Sequence, residues 1–137
     1  MLYIVYKAGY KYQLVEPYSQ DIGIRPGRDI DTTYITLKHN GVLTVRAGYA
    51  WDGPSGPTFD TSDFMRGSLV HDVLYQLMRM DLLNREYKKD ADRLLQKMCI
   101  EDGMPRIRAW WVYMGLQIGG RDATLPKNRK RKIVAPV

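Results

Sequence analysis

The chain has 137 residues, of which 45% are hydrophobic, and carries a formal net charge of +6. This length supports one ordinary core and is short for two, and the aromatic content argues against a largely disordered protein. Five of the positive charges lie within six positions near the end, at Lys127, Arg129, Lys130, Arg131 and Lys132. Because the remainder is almost neutral, the charge argues against a basic nucleic-acid groove in the folded part.

The first 49 residues hold seven of the ten tyrosines, in short β-branched or aromatic runs separated by turn residues. The dipeptide Asn40-Gly41 is a strong hairpin signal. The segment from Pro17 to Asp31 is interpreted as a loop or the ragged edge of a sheet. Strands are predicted near Tyr3 to Lys7, Lys11 to Val15, Thr33 to Lys38 and Val42 to Arg46.

The segment from Gly48 to Pro57 is rich in glycine and proline, which interrupt both helices and strands, so it is predicted to be a loop. Thr61 or Ser62 then offers an N-cap for a first helix that ends near Met80. A second helix is predicted from about residue 85 to 102, ending before Gly103. A third is predicted from residue 105 to about 118.

This order of elements predicts an α+β fold, in which a small N-terminal antiparallel sheet packs with three C-terminal helices. The first two helices would form an antiparallel hairpin. We expect a single domain over residues 1–123, with a β-rich part at 1–50, the loop at 48–60 and a helical part at 61–120. Residues 124–137 would form a basic C-terminal tail.

The first predicted helix carries His71 in the middle of its apolar side. A buried imidazole without a partner costs on the order of 1 to 3 kcal/mol, so a hydrogen-bond partner is expected. Asp92 lies as far after the helical turn as His71 lies before it, roughly 15 Å in each case, so an antiparallel hairpin places them level. Gly67 would allow the two helices to approach closely.

This pairing has a catalytic interpretation. Asp92 would fix the tautomer of His71 and stabilise its protonated form, while the other ring nitrogen deprotonates a water. Calcium needs several oxygen ligands, which Asp72 and carbonyl groups of the loop from Asp52 to Gly56 would supply. The cation would then polarise a carbonyl and stabilise an oxyanion.

A structural interpretation stays open. His71 and Asp92 would then satisfy one another in the core, and Asp72 would tie down the glycine- and proline-rich loop. Spacing alone favours the structural interpretation, because His-Asp pairs are common. Transition-metal binding is less favoured, because His39 lies by a predicted hairpin and Cys99 is the single cysteine, which leaves too few soft ligands.

A series of short motifs occurs in a fixed order in the middle of the chain. The motifs are Leu-Thr-Val-Arg-Ala-Gly-Tyr-Ala-Trp-Asp-Gly-Pro-Ser-Gly-Pro at 43–57, Val-His-Asp-Val-Leu-Tyr at 70–75, Ala91-Asp92, Tyr113 and Gly119. Together they resemble a family associated with phages and prophages, the domain of unknown function 1353. Pro54 and Gly56 stand where that family has Ala and Ile, and Arg46 stands for its usual Pro. The resemblance implies a phage protein in the host cytoplasm or the virion, and it implies no reaction.

A second similarity is to phospholipases of the A-two type, particularly the disulfide-free domain of parvovirus capsids. In those enzymes a Gly-Pro loop precedes His-Asp-x-x-Tyr, and Ala-Asp follows on the next helix. The similarity implies a calcium-dependent ester hydrolase acting on phospholipid. His71 would be the base, Asp92 its support and Tyr75 the supporting tyrosine, while Asp72 would bind calcium and Gly53 would mark the calcium loop.

The alternative is a non-enzymatic phage accessory or virion component that binds another phage protein. Trp51, Trp110 and Trp111 suit contact with lipid or a partner, although core packing is expected for at least two of them. Trp110 and Trp111 belong to an apolar stripe on the third helix that is predicted to pack against the fold. The tail would bind nucleic acid or an anionic surface, or serve only solubility. The opening Met-Leu-Tyr-Ile-Val-Tyr has no basic leader and no proper apolar core, so no cleaved signal peptide is expected.

Overall fold

The computed structural model describes residues 2–8, 12–51, 61–119 and 121–126, the last segment without the side chains of residues 121 and 122. Short strands come first and helices follow, which confirms the predicted α+β class. The strands are β1 (Tyr6–Lys7), β2 (Tyr12–Leu14), β3 (Tyr18–Asp21), β4 (Ile30–Asp31), β5 (Ile35–Leu37), β6 (Val42–Val45) and β7 (Ala50–Trp51). The helices are α1 (Ser62–Arg79), α2 (Lys88–Glu101) and α3 (Arg106–Gly119), with 3-10 turns at Arg85–Tyr87 and Arg121–Thr124.

The strands form two antiparallel sheets where the sequence predicted one. The first has the order β1-β2-β7, and the second has the order β3-β6-β5-β4. The predicted hairpin at Asn40-Gly41 is confirmed, since it joins β5 to β6. Gly41 has a φ of +93°, and its N–H donates to the Lys38 carbonyl at 2.9 Å. A left-handed φ of this kind favours glycine.

The segment from Pro17 to Asp31, interpreted as a loop or the ragged edge of a sheet, contains β3 and β4, which form the two edges of the four-stranded sheet. β3 pairs with β6, and Tyr18 faces Val45. Of the four residues of β3 only Tyr18 is buried, so its polar sequence resembles a loop. An edge strand is defined by its neighbour more than by its own hydrophobic pattern.

The prediction of a loop from Gly48 to Pro57 was wrong at one point. Ala50–Trp51 forms β7, which pairs with β2. The indole of Trp51 is buried and donates to the Ser68 hydroxyl of α1 at 3.1 Å. Residues 52–60, which contain the prolines of the predicted loop, lie outside the described residues.

Helix α1 is the central element, and it is buried on nearly all sides because it packs against both the strands and α2. Its bounds agree with the prediction, with Thr61 at the N-cap position. Gly67 lies at the crossing with α2, where an added Cβ would sit 2.8 Å from Leu95 Cδ1. The absence of a side chain at Gly67 therefore allows the close approach that the sequence predicted.

Helix α3 lies outermost and contradicts one prediction. It packs on α2 through Ala109, Val112 and Leu116. Trp110 and Trp111 are exposed, as are Ile107 and Ile118, so the predicted stripe does not pack against the described part of the fold. Of the three tryptophans only Trp51 belongs to the core. A peripheral helix that packs mainly on one other helix has too little partner surface to bury two apolar faces.

The described chain contains no helix that is both long enough and apolar enough to cross a bilayer.

Candidate active site

His71 and Asp92 meet across the contact between α1 and α2, as the spacing predicted. His71 Nε2 lies 2.8 Å from Asp92 Oδ1. An ionised carboxylate can only accept hydrogen bonds, so Nε2 carries the proton in this pair. In the neutral imidazole Nδ1 is then the basic nitrogen. The geometry thus assigns the tautomer in which Nε2 carries the proton.

Asp92 is fully buried and accepts four hydrogen bonds from three helices. Its Oδ1 accepts from His71 and from the Tyr75 hydroxyl at 2.6 Å, and its Oδ2 accepts from Lys88 Nζ at 2.7 Å and Gln117 Nε2 at 2.9 Å. These donors occupy the acceptor sites that a carboxylate offers. Asp92 is therefore held in one orientation, and it joins α1, α2 and α3.

The hydrogen-bond partners of the Asp92 carboxyl determine its charge state. Burial alone would raise the pKa of Asp92, but the hydrogen bonds from His71, Lys88 and Tyr75 outweigh it and hold the pKa below its ordinary value. Burial first, and then the contact with Asp92, raise the pKa of Tyr75 above its ordinary value. Tyr75 consequently keeps its proton near neutral pH and donates a hydrogen bond to Asp92.

The second ring nitrogen of His71, Nδ1, has different surroundings from Nε2. The ring lies against Tyr75, with centroids 4.0 Å apart, and its side chain retains 12% exposure. Among the described residues, no hydrogen bond to Nδ1 is found.

The protein's other histidine provides a contrast. His39 Nδ1 lies 2.7 Å from Asp29 Oδ1, but both side chains are more than half exposed. The same pair of residue types therefore occurs once inside the fold and once in solvent.

Asp72 points to a different neighbour. Its Oδ2 accepts from the Tyr49 hydroxyl at 2.8 Å, and the same hydroxyl lies 2.9 Å from Gln76 Oε1. Ser68, Asp72 and Gln76 recur every four residues, so they share one side of α1. That side meets Tyr49 and the following strand β7, since Tyr49 contacts Asp72 and Trp51 contacts Ser68.

The predicted calcium ligands are described only in part. Asp52 and Gly53 lie outside the described residues, so the structure does not test their predicted part in calcium binding. Within the described part of the chain, no cluster of three or more His, Cys, Asp or Glu side chains is arranged to hold a metal ion. Asp72 contributes one carboxylate, and one of its oxygens already accepts from Tyr49.

Three contributors to the site were not predicted. Lys88 and Asp92 are four residues apart on α2, a spacing that favours ion pairs and would have pointed to this contact. Gln117 has no local signal, because it reaches Asp92 from α3. Tyr49 has no local signal either, because it precedes β7 and meets Asp72 only where that strand packs on α1.

Cys99 is not a further reactive group in this region. It is fully buried beside Gly67, and burial raises the pKa of its thiol to about 12. Since the thiolate is the reactive form of cysteine, Cys99 acts as a packing residue.

Comparison with known proteins identifies one family. Residues 29–116, more than half of the chain, match the family described as "Protein of unknown function (DUF1353)". The matched range runs from β4 to the last turn of α3 and includes His71, Asp72, Tyr75 and Asp92. No curated protein and no solved structure matches the chain.

Proposed function

Because the chain belongs to the DUF1353 family, whose description assigns no reaction, we propose a function from its geometry: it is a hydrolase of phospholipid esters with His71 as general base. The observation that carries the proposal is the buried His71–Asp92 pair, in which Asp92 holds Nε2 and leaves Nδ1 without a partner among the described residues. We propose in addition that the protein is encoded by a phage or prophage, as the sequence resemblance implies.

The proposed reaction uses the free nitrogen of His71. Nδ1 takes a proton from water, and the water oxygen attacks the ester carbonyl carbon. The tetrahedral intermediate then breaks its bond to the alkoxide oxygen, which receives the proton from Nδ1 and leaves as an alcohol. The acyl group leaves as a carboxylic acid. Asp92 stabilises the imidazolium that exists between the two proton transfers, and Tyr75 keeps Asp92 in position.

Calcium is the proposed electrophile. Of its proposed ligands, Asp72 lies among the residues that the structure describes. Tyr49, which donates to Asp72, comes directly before β7, and the proposed loop residues Asp52 and Gly53 follow β7 in the sequence. When bound, calcium would polarise the ester carbonyl. Calorimetric titration with calcium alone tests this part, and Asp72→Asn should abolish the heat of binding while Asp90→Asn, on the exposed side of α2, should keep it.

The reaction is tested with a short-chain phosphatidylcholine below its micelle concentration, so that turnover does not depend on a lipid surface. Fatty acid release should fall by about 10² to 10⁴ in His71→Ala. His39→Ala is the matched control, because it removes the exposed histidine of the other His-Asp pair and should leave the rate unchanged. Equal rates in the wild type and His71→Ala would refute the assignment of the base.

A second function is favoured by a separate observation, the four hydrogen bonds that join Asp92 to three helices. In this case the pair is structural, and the protein is a non-enzymatic phage accessory or virion component that binds another phage protein. It predicts no ester cleavage by the wild type, together with a large loss of stability in His71→Ala. Cleavage that depends on His71 would reject it.

A further inference from the structure

The outward side of α3 exposes large apolar residues in a regular pattern. Ile107 is 69% exposed, Trp110 47%, Trp111 65% and Ile118 85%. Their spacing of three, four and seven residues places them on one side of the helix. We call these four residues the α3 outer stripe.

The described part of the fold leaves this stripe uncovered. The opposite side of α3 packs on α2 through Ala109, Val112 and Leu116. A contiguous exposed patch with two tryptophans marks a surface that binds something, since isolated apolar residues are common but clusters of this kind are rare. With 14 residues, α3 is too short to span a bilayer, so any contact with a bilayer would run along its surface.

The charges around the stripe indicate what binds there. Helix α3 contains no acidic residue from Arg106 to Gly119. Arg106 is exposed at its start, with no ion pair among the described residues, whereas Arg108 lies 3.8 Å from Asp63. The sequence after α3 continues with the basic cluster of residues 127–132. The complement of an apolar, cationic helix is an anionic surface that also accepts apolar side chains.

We propose that the α3 outer stripe docks on the surface of an anionic phospholipid bilayer. Tryptophan side chains favour the interface between headgroups and acyl chains, and arginine can keep its charge in the headgroup layer while its stem lies along apolar surface. Anionic lipid adds attraction for Arg106 and for the basic cluster. A second copy of the chain fits less well, because it would oppose two cationic helices. The inference stands without the hydrolase proposal, since docking requires no turnover.

The test uses the full chain and large vesicles of phosphatidylcholine and phosphatidylglycerol in equal parts. Trp51 is buried, so Trp110 and Trp111 should dominate any blue shift of the fluorescence when vesicles are added. Trp110→Ser with Trp111→Ser should weaken co-sedimentation at least about tenfold. Tyr3→Ser is the matched control, because Tyr3 is an exposed aromatic residue outside α3 and should not change binding.

Further arms separate the alternatives. Pure phosphatidylcholine vesicles should bind at least about tenfold more weakly than the anionic ones, and Arg106→Gln should reduce anionic binding. Changing the five basic residues of the 127–132 cluster to Gln should weaken binding but keep the blue shift at high lipid concentration. Unchanged vesicle binding by the double tryptophan variant would assign binding to the tail and overturn the proposal.

Two more results bear on it. A lipid-free dimer in sedimentation velocity that Trp110→Ser and Trp111→Ser dissolve would overturn the proposal in favour of self-association. His71→Ala should bind vesicles like the wild type. A wild-type protein that binds vesicles but cleaves no ester would refute the hydrolase proposal alone, and one that cleaves the dispersed substrate but does not bind vesicles would refute docking alone.

Discussion

Lys88 and Asp92, one turn apart on α2, form an ion pair with 2.7 Å between Nζ and Oδ2. The same ammonium donates at 3.1 Å to the carbonyl of Leu116, which lies in the last turn of α3 where carbonyl groups lack helical partners. The carboxylate is thus anchored on the oxygen that His71 does not use. This arrangement orients Asp92 toward His71 and at the same time fastens α3 to the hairpin.

Replacing Asp92 by Asn should lower the free energy of unfolding by about 3 kcal/mol. An amide offers one accepting oxygen, so its N–H groups must face either the donors Lys88 and Gln117 or the donors His71 and Tyr75. Urea denaturation measures the loss. The control is Asp90→Asn on the exposed side of α2, which should change stability by about 0.5 kcal/mol or less. If both variants lost a similar amount of unfolding free energy, the four hydrogen bonds to Asp92 would not stabilise the fold as argued.

The same group predicts how stability depends on pH. Folding lowers the pKa of Asp92 from its ordinary value of 3.8, so its ionisation stabilises the fold above pH 3.8. This contribution is lost as the pH falls through the lower folded value. The difference in unfolding free energy between wild type and Asp92→Asn should therefore narrow below about pH 4, measured by denaturation at successive pH values. A difference that widens there would show that the pKa is raised.

Gly67→Ala should destabilise the protein by about 1 kcal/mol, although alanine is the better helix former. The new Cβ would lie 2.8 Å from Leu95 Cδ1 and 3.3 Å from Cys99 Sγ, so α1 and α2 must separate or Leu95 must move. Gly115→Ala is the matched control on α3, where an added Cβ meets nothing within 4 Å. It should stabilise by about 0.5 to 1 kcal/mol. Thermal unfolding of the two variants should shift in opposite directions, and a shared direction would refute the close helix contact.

Arg66→Lys should cost about 2 to 3 kcal/mol even though it keeps the positive charge. The buried guanidinium binds both oxygens of Asp102 through Nε and Nη2 and donates to the Tyr18 hydroxyl at 3.0 Å. It thereby joins α1 to the end of α2 and to β3, and one ammonium cannot span these partners. Arg93→Lys, an exposed change on α2, is the control in the same denaturation assay. Equal stability of Arg66→Lys and the wild type would show that charge alone suffices at Arg66.

The helical hairpin and the pairing of His71 with Asp92 could be predicted from the sequence. Apolar periodicity, Thr61 at the start of α1 and Gly103 after α2 mark the helices locally. Once two helices are antiparallel, counting from the turn places residues level with each other. The short polar strands could not be predicted in this way, because β3 is a strand through its pairing with β6.

What the sequence by itself determined is therefore the class of fold, the helical hairpin and the imidazole–carboxylate pair, because helix period and chain length set them locally. Only the tertiary structure decided that Gln117 completes the site, that Tyr49 holds Asp72 and that Trp110 and Trp111 remain exposed. These contacts join residues far apart in the chain. Their existence depends on which faces find partners when the elements pack, and no local pattern records that outcome.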